Sequence, residues 1–319
     1  MNRHEFLKTM AAATASIVVP QYIRSNPEAA PKTYTYKSAG GCEIKADVSG
    51  SEAGSKKPVI VWLHGGALIM GSRKNPPHWL DAHGEYVVIS LDYRLAPETK
   101  LPDIIEDIQD AFRWVREKGP RLLNVDVERL AVAGGSAGAY LTLMTGFCVQ
   151  PRPGALLSLS GYGDIAATWY TRPSPFYTQM PPVSEELARQ SLGAGSVCPP
   201  SEDVGNQRGK FYLYCRQKGI WPKEVSGHDP DREPRWFDRY CPVRNVSAKY
   251  PPTVLIHGTA DTDVPYEESE KMDAALSQSK VEHRFLSVRG GEHGLSGYDP
   301  QAKARVFEQA MAFLQEHTR

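Results

Sequence analysis

Five short apolar runs constrain this chain more than anything else in it: "PVIVWLH" (58–64), "YVVISLDY" (86–93), "RLAVAGG" (129–135), "GALLSLSG" (154–161) and "PTVLIHG" (252–258). Each is nearly continuous in hydrophobicity rather than alternating, the pattern of a strand covered on both faces in a parallel sheet. Helical periodicity fills several of the intervals. In "DIIEDIQDAFRWVREKG" the residues Ile104, Ile108, Ala111, Phe112 and Val115 share one face, and Gly119-Pro120 is expected to end the helix. "ESEKMDAALSQS" (268–279) and the terminal "KARVFEQAMAFLQEH" repeat the signature, the latter with Phe307, Ala310, Met311 and Leu314 on one stripe. Ahead of the first run, "TYTYKS" and "CEIKADVSG" alternate and read as a strand pair. Strands alternating with helices predict an α/β fold, with a mostly parallel central sheet, helices on both faces and right-handed crossovers.

One stretch breaks the alternation. From Gly163 to about Tyr250 no clean strand–helix unit appears, yet the segment is crowded with aromatics and prolines, as in "TWYTRPSPFYTQMPP", "GKFYLYCRQKGIWP" and "PRWFDRYCP". It is too long for a loop without structure of its own. We read 163–250 as an inserted cap, partly helical over "VSEELARQSL" and around 207–218. Trp169, Tyr170, Phe176, Tyr177, Trp221, Trp236 and Phe237 could wall a pocket for aryl or sugar-bearing esters. The weightier expectation is that each packs in the cap's own core, because large aromatics dominate packing generally.

The charge balance excludes some partners. Thirty-seven basic residues offset thirty-seven acidic ones, which leaves no electrostatic footprint for nucleic acid or an anionic membrane. Five cysteines, at 42, 148, 198, 215 and 241, contain no CxxC pair, which argues against structural zinc. Cys148 falls in a helix and is expected to pack as a small hydrophobe. Cys198, Cys215 and Cys241 lie in one region, and an exported chain could pair two of them; the spacing does not choose which. "HDPDREPR" (228–235) reads as a solvated loop rather than a metal site.

"LAVAGGSAGAY" (130–140) poses the chemical question. Gly134 to Gly138 fit G-x-S-x-G, with a strand running in over 129–133 and a helix running out near Ala137. A serine on such a turn is lifted above the sheet beside a helix N-terminus, where developing negative charge is favoured. A phosphate loop is excluded, since no Gly-Lys-Ser/Thr follows. The serine needs a base, and the base an orienting acid. Of nine histidines, His4 and His317 are terminal, His64 and His257 precede glycine at strand ends, His78, His83 and His228 lie in polar loops, and His283 begins a strand. His293, in "RGGEHGLSG", follows that strand on a glycine-rich loop able to fold over the sheet edge. In "LIHGTADTDVP", Asp261 and Asp263 stand just beyond a buried strand, where a residue faces the crevice at the sheet's C-terminal edge. We assign Asp261 to the catalytic set and Asp263 to the turn, giving the order Ser136, Asp261, His293. "WLHGGALIMG" supplies backbone donors for an oxyanion at Gly65 and Gly66, joined by the amide of Ala137.

Four segments, "HGGA" (64–67), "DYRLAPE" (92–98), "GGSAG" (134–138) and "HGTADTDVP" with "GGEHG", carry a resemblance to a known family. They resemble α/β-hydrolase carboxylesterases related to hormone-sensitive lipase and to bacterial esterase/lipase and feruloyl-esterase-like proteins. The resemblance implies that Ser136, Asp261 and His293 form a triad, and that the chain performs two-step acyl transfer on a small-molecule ester without cofactor or metal. With the N-terminal residues read as a leader over 1–30, the hydrolase domain is expected over 31–319. Three departures place it nearer the bacterial esterases: Ala67 stands where many relatives have a third glycine, Gly135 replaces an aspartate, and the cap precedes the acid-bearing strand. "DYRLAPE" reads as architectural.

Two other functions compete. A serine peptidase of the prolyl-oligopeptidase type shares the triad order, but such enzymes usually carry a large N-terminal propeller, and fewer than sixty residues precede the first core strand. A catalytically silent binding protein would typically lack a triad member. At the N-terminus, "MNRHEFLK" and "TMAAATASIVV" read as an address, the apolar part being too short to span a bilayer. Arg3, Phe6, Leu7 and Lys8 resemble a twin-arginine signal, with His4 at the second arginine's place. Export to a periplasm or medium is expected, and a cytoplasmic location if the leader does not function.

Overall fold

Eight strands hydrogen-bond into one sheet in the order β1-β2-β4-β3-β5-β6-β7-β8. They are β1 (Lys32–Ala39), β2 (Cys42–Ser49), β3 (Lys57–Leu63), β4 (Val87–Leu91), β5 (Val125–Gly135), β6 (Ala155–Leu159), β7 (Thr253–Gly258) and β8 (His283–Val288). The computed structural model describes residues 30–319 apart from 52, 53, 75, 82, 83, 194, 196 and 199–203. The leader expected over 1–30 lies outside them but for its last residue. β1 pairs antiparallel with β2 and β2 with β4, while every pairing from β4 through β8 is parallel.

Continuous apolarity is explained by two-sided cover. Along β3, Val59, Val61 and Leu63 face one core, and Ile60 and Trp62 face the other. The first core is closed by helix α1 (Leu101–Leu122), helix α2 (Ala137–Cys148) and the segment between β6 and β7. The second is closed largely by the terminal helix, through Phe307, Ala310, Phe313 and Leu314. Each fully buried Val, Ile, Leu or Phe side chain in these cores contributes about 1.5–3 kcal/mol of transfer free energy.

Helix α1 does not stop at Gly119-Pro120 but runs through them to Leu122. A proline this near the C-terminus forfeits little, and Leu123 N–H still reaches Gly119 O at 2.8 Å while its side chain enters the core. Between β6 and β7 the described residues form helices α3 (Thr168–Thr171), α4 (Glu185–Arg189), α5 (Val204–Lys218) and α6 (Trp221–Ser226), with 3-10 turns between and after them. Helices α7 (Glu267–Gln278) and α8 (Pro300–His317) follow, α8 opening three residues earlier than the periodicity indicates because Asp299 caps Ala302 N–H at 2.8 Å.

The cysteine expectation needs correction. The disulfide joins Cys42 to Cys198, while Cys215 and Cys241 are free and buried. Closeness in sequence misleads here, because the loop carrying Cys198 folds back on the sheet, where Leu95 N–H also reaches Val197 O at 3.0 Å. Cys148 packs as expected, its thiol pushed up to about 12 by burial.

Candidate active site

The turn after β5 places Ser136 at φ 55° and ψ −120°, a backbone that neither strand nor helix uses. A non-glycine residue there costs about 1–3 kcal/mol, so its surroundings must hold it. They do so by close approach. A Cβ on Gly138 would lie 2.0 Å from Leu63 O, and one on Gly134 would lie 2.3 Å from Gly138 O, so only glycine lets α2 sit this tightly on β3 and β5. Ser136 N–H donates to Leu159 O at 2.8 Å, and Ser136 O accepts from Tyr140 N–H at 3.0 Å to start the helix.

The segment after β3 lies against this turn, since a Cβ on Gly65 would come 3.3 Å from Ser136 Cβ. Gly66, Ala67 and Leu68 all have positive φ, at 107°, 57° and 61°. What holds three such residues is a complete set of donors to their carbonyls. Tyr93 Oη–H reaches His64 O at 2.8 Å, and His64 Nδ1–H reaches Gly65 O at 2.7 Å. Ile69 and Met70 amides share Gly66 O, and Trp221 Nε1–H takes Ala67 O at 2.9 Å. Ala96 N–H takes Leu68 O at 2.8 Å, and Arg208 Nε–H takes Ile69 O at 2.6 Å. With every carbonyl from 64 to 69 engaged, the peptide planes are fixed. Among the described residues the amides of Gly65, Gly66 and Ala137 have no acceptor. His64 serves this frame: it stacks on Tyr93 at 4.2 Å, and burial lowers its pKa to about 4, keeping it neutral.

"DYRLAPE" is architectural. Asp92 binds Arg73 in the core, Tyr93 holds the loop just described, Arg94 grips Asp107 at 2.7 and 2.8 Å, and Glu98 pairs with Arg208 at 2.6 Å.

Beyond β7 the structure brings Asp261 and His293 together. Asp261 Oδ2 accepts His293 Nδ1–H at 2.8 Å, and His257 Nε2 lies 3.1 Å from the same oxygen. Its Oδ1 accepts the amides of Asp263 and Val264, each at 2.9 Å. Burial would raise the Asp261 pKa, but the His293 charge and the hydrogen bond from His257 hold it well below the usual carboxylate range. For His293 burial works downward, and the Asp261 charge and hydrogen bond overcome it, lifting the imidazole to about 9. The ring stays 28% exposed, open to a ligand.

Ser136 and Gly294, the residue after His293, meet the same dipeptide. Leu159 O accepts from Ser136 N–H, and Ser160 Oγ accepts Gly294 N–H at 3.0 Å. Among the described residues no hydrogen bond joins Ser136 Oγ to His293 Nε2, a contact that free enzymes often leave long. Glu292 steadies the His293 turn, accepting from Thr262 N–H at 3.2 Å and Thr262 Oγ1–H at 3.1 Å.

Asp263 does not serve the turn, as the sequence reading had it. Asp261 makes the turn bonds itself, whereas the Asp263 carboxylate accepts from Tyr177 Oη–H at 3.0 Å, Tyr212 Oη–H at 2.5 Å and Arg216 at 2.7 Å. Its other oxygen stands 3.7 Å from His293 Nε2. Sequence reasoning also missed His64 and His257 as supports. Each precedes a glycine at a strand end, which was the available signal.

Most of the named aromatics pack as cap core: Tyr170, Tyr177, Trp221 and Phe237 are buried, with Tyr170 stacked between Trp169 at 3.5 Å and Trp221 at 4.1 Å. Trp169 and Phe176 are half-buried and border a depression of about 570 Å³ that also reaches Arg216, Asp261 and Asp263. The run 228–235 is largely exposed, with Asp231 bound to Arg172 and Glu233 to His228. Among the described residues, no group of three or more His, Cys, Asp or Glu is placed to hold a metal ion, and no helix is long and apolar enough to cross a membrane.

The strand order, the tight turn at the end of β5 and the acid–histidine pair beyond β7 and β8 define an α/β-hydrolase architecture. Residues 60–296 match the family model described as alpha/beta hydrolase fold, and the chain belongs to that family. A non-reducing polyketide synthase of Preussia isomera, Preu6, is 29% identical over 298 residues, covering 82% of this chain and 13% of the synthase. The chain thus spans about an eighth of the length of the curated relatives it matches. Among solved structures, a protein of unknown function from Staphylococcus aureus subsp. aureus Mu50 superposes with a TM-score of 0.72 at 23% identity, covering 90% of this chain and all of that one. An acetyl ester-xyloside bifunctional hydrolase from Caldicellulosiruptor lactoaceticus gives 0.62 at 20% identity, covering 86% and 88%.

Proposed function

We propose that this chain is a serine hydrolase that cleaves small carboxylic esters through an acyl-enzyme intermediate. The observation that carries the reading is the 2.8 Å bond between Asp261 and His293 Nδ1, made over the same strand ends that hold Ser136 in a left-handed backbone. The likeness to an enzyme named as an acetyl ester hydrolase supports it.

Because Asp261 accepts a hydrogen bond from Nδ1–H and so keeps the proton on Nδ1, the neutral His293 ring presents its Nε2 lone pair. Ser136 Oγ attacks the ester carbonyl carbon as its proton passes to Nε2. The carbonyl oxygen gains the negative charge, received by the amides of Gly65, Gly66 and Ala137, the last at the N-terminus of α2. Asp261 orients the imidazolium and offsets its charge. Collapse expels the alcohol, which takes the Nε2 proton. Water then gives its proton to His293 and attacks the acyl carbon, and as the acyl–Oγ bond breaks His293 returns that proton to Oγ, releasing the acid and restoring Ser136. Residues 1–30 are proposed as an export leader. The Cys42–Cys198 disulfide supports this, since such bonds persist in oxidising compartments; fractionation of cells expressing the chain with and without the leader tests it.

Nitrophenyl esters from acetate to decanoate, and a ferulate ester, test the reaction with wild type beside Ser136→Ala. Turnover that disappears in a folded Ser136→Ala supports the reading, and the chain-length profile sizes the acyl site. No serine-dependent turnover, and no labelling of Ser136 by a fluorophosphonate, would refute it.

A further inference from the structure

Asp263 is built with more care than a turn residue needs. Three donors converge on its Oδ1: the hydroxyls of Tyr177 and Tyr212 and the Nη1 of Arg216. Arg216 is itself 3% exposed, and both its terminal nitrogens also reach the main-chain oxygen of Asp263 at 3.1 Å. Four rings, of Trp169, Tyr170, Tyr177 and Tyr212, lie with centroids 4.9–5.7 Å from the guanidinium carbon. Burying a guanidinium is costly, and rings and carboxylate together offset it. The result is a carboxylate held by one oxygen from the segment between β6 and β7, with the other oxygen left over.

That second oxygen, Oδ2, is 3.7 Å from His293 Nε2. The distance is too long for a hydrogen bond and short enough for a strong charge interaction. Nε2 is the nitrogen that takes the serine proton under the function proposed above, on which this inference rests. A carboxylate within hydrogen-bond reach of Nε2 would occupy it and compete with Ser136. One held just outside that reach leaves the lone pair free, yet stabilises the positive charge once the proton arrives. Other charges around the ring are accounted for. Asp261 binds Nδ1, His257 stands behind Asp261, and Glu292 is occupied by Thr262. The Lys303 ammonium, from α8, is spent on the carbonyls of Gly294 and Leu295 at 3.2 Å.

We propose that Asp263 is a second carboxylate acting on His293, a positioning residue that stabilises the imidazolium from its Nε2 side and is kept from closing on Nε2 by Arg216, Tyr177 and Tyr212. The electrostatics agree in sign, Asp263 raising the proton affinity of His293 and Arg216 lowering it.

Histidine imidazole signals of labelled full-length protein, followed by NMR from pH 5 to 10, provide a readout independent of turnover, with His293 assigned by the signal lost in His293→Ala. In Asp263→Asn the His293 midpoint should fall by about one unit, the low end for a charge at this distance because Arg216 shares it. Asp263→Glu should restore much of the shift. Tyr177→Phe/Tyr212→Phe, which removes two of the three donors on Oδ1 and leaves Arg216 there, should move the midpoint up and slow fluorophosphonate labelling of Ser136, because Asp263 is then held less firmly away from Nε2. An Asp263→Asn midpoint within about 0.3 unit of wild type would overturn the proposal, since neighbouring charges at this range move pKa values by more. If Asp263→Asn does not fold, the tyrosine pair decides by the same criterion. A shifted midpoint without any serine labelling would leave the coupling standing and remove the esterase reading; labelling with an unmoved midpoint would do the reverse.

Discussion

Replacing Arg208 by methionine should loosen the segment that presents Gly65 and Gly66. Arg208 reaches from α5 with 1% exposure, donating to Ile69 O at 2.6 Å, to Ala96 O, and to both oxygens of Glu98 at 2.9 and 2.6 Å. Burial acts to raise the Glu98 pKa, but the bonds from Arg208 and Gly193 N–H hold it below its ordinary value. Methionine fills much of the space and removes the charge, stranding a buried carboxylate and two carbonyls. Breaking a buried pair from one side costs about 3–5 kcal/mol. With about 2.1 cal/mol/K of unfolding entropy per residue, a chain of 319 residues should lose about 5–7 °C in melting temperature. Circular dichroism melts at pH 7 measure this. The gap between variant and wild type should narrow as pH falls, because the wild-type Glu98 contribution exists only while the group is ionised and disappears as it protonates. Arg208→Met/Glu98→Leu, which removes both charges, should recover most of the loss. Activity should follow the loop: kcat falls about tenfold or more through misplaced amides, with KM less affected. A single variant that melts within about 2 °C of wild type, or a double variant no better than the single, would refute the account.

Asp261→Asn should lower kcat by about 10⁴-fold with folding retained, since an amide favours the wrong imidazole tautomer; nitrophenyl acetate kinetics check it, and a loss under tenfold would count against Asp261 as the orienting acid. Wild-type kcat/KM should rise with pH as His293 sheds its proton, along a limb that lies above the ordinary 6.5 and toward 9; a plateau already reached at pH 6 would contradict the raised proton affinity. Denatured, unreduced protein should titrate three thiols, from Cys148, Cys215 and Cys241, and five after reduction. Peptide mapping should then recover Cys42 linked to Cys198.

The sheet was legible because its signal is local. A strand buried on both faces must be apolar at every position, so the five central runs stood out, although β5 begins at Val125, ahead of the run 129–135, where its residues turn polar. Helix α1 departed from expectation for the converse reason. Gly119-Pro120 is a strong local stop, and what carries the helix past it is tertiary: Leu123 and Val125 enter the core behind it. Cysteine pairing failed similarly, since nothing near Cys198 records that its loop returns to β2.

The site divides along the same line. Ser136, Asp261 and His293 sit at strand ends, where parallel topology alone brings residues remote in sequence to one edge, so their order could be read. Asp263 could not be. Two residues past Asp261 it looks like the capping aspartate of a turn, and the turn does have one, which is Asp261 itself through its Oδ1. What separates the two carboxylates is the partner each meets: histidines on β7 and after β8 for one, and an arginine caged by aromatics in the insertion for the other. The insertion therefore reaches the candidate site from two sides. Trp221 and Arg208 fix carbonyls of the segment bearing Gly65 and Gly66, while Arg216 and Tyr212 fix the carboxylate facing Nε2. Under the proposed function, exchanging this segment for that of another hydrolase would then alter the proton affinity of His293 and the placement of the Gly65 and Gly66 amides together.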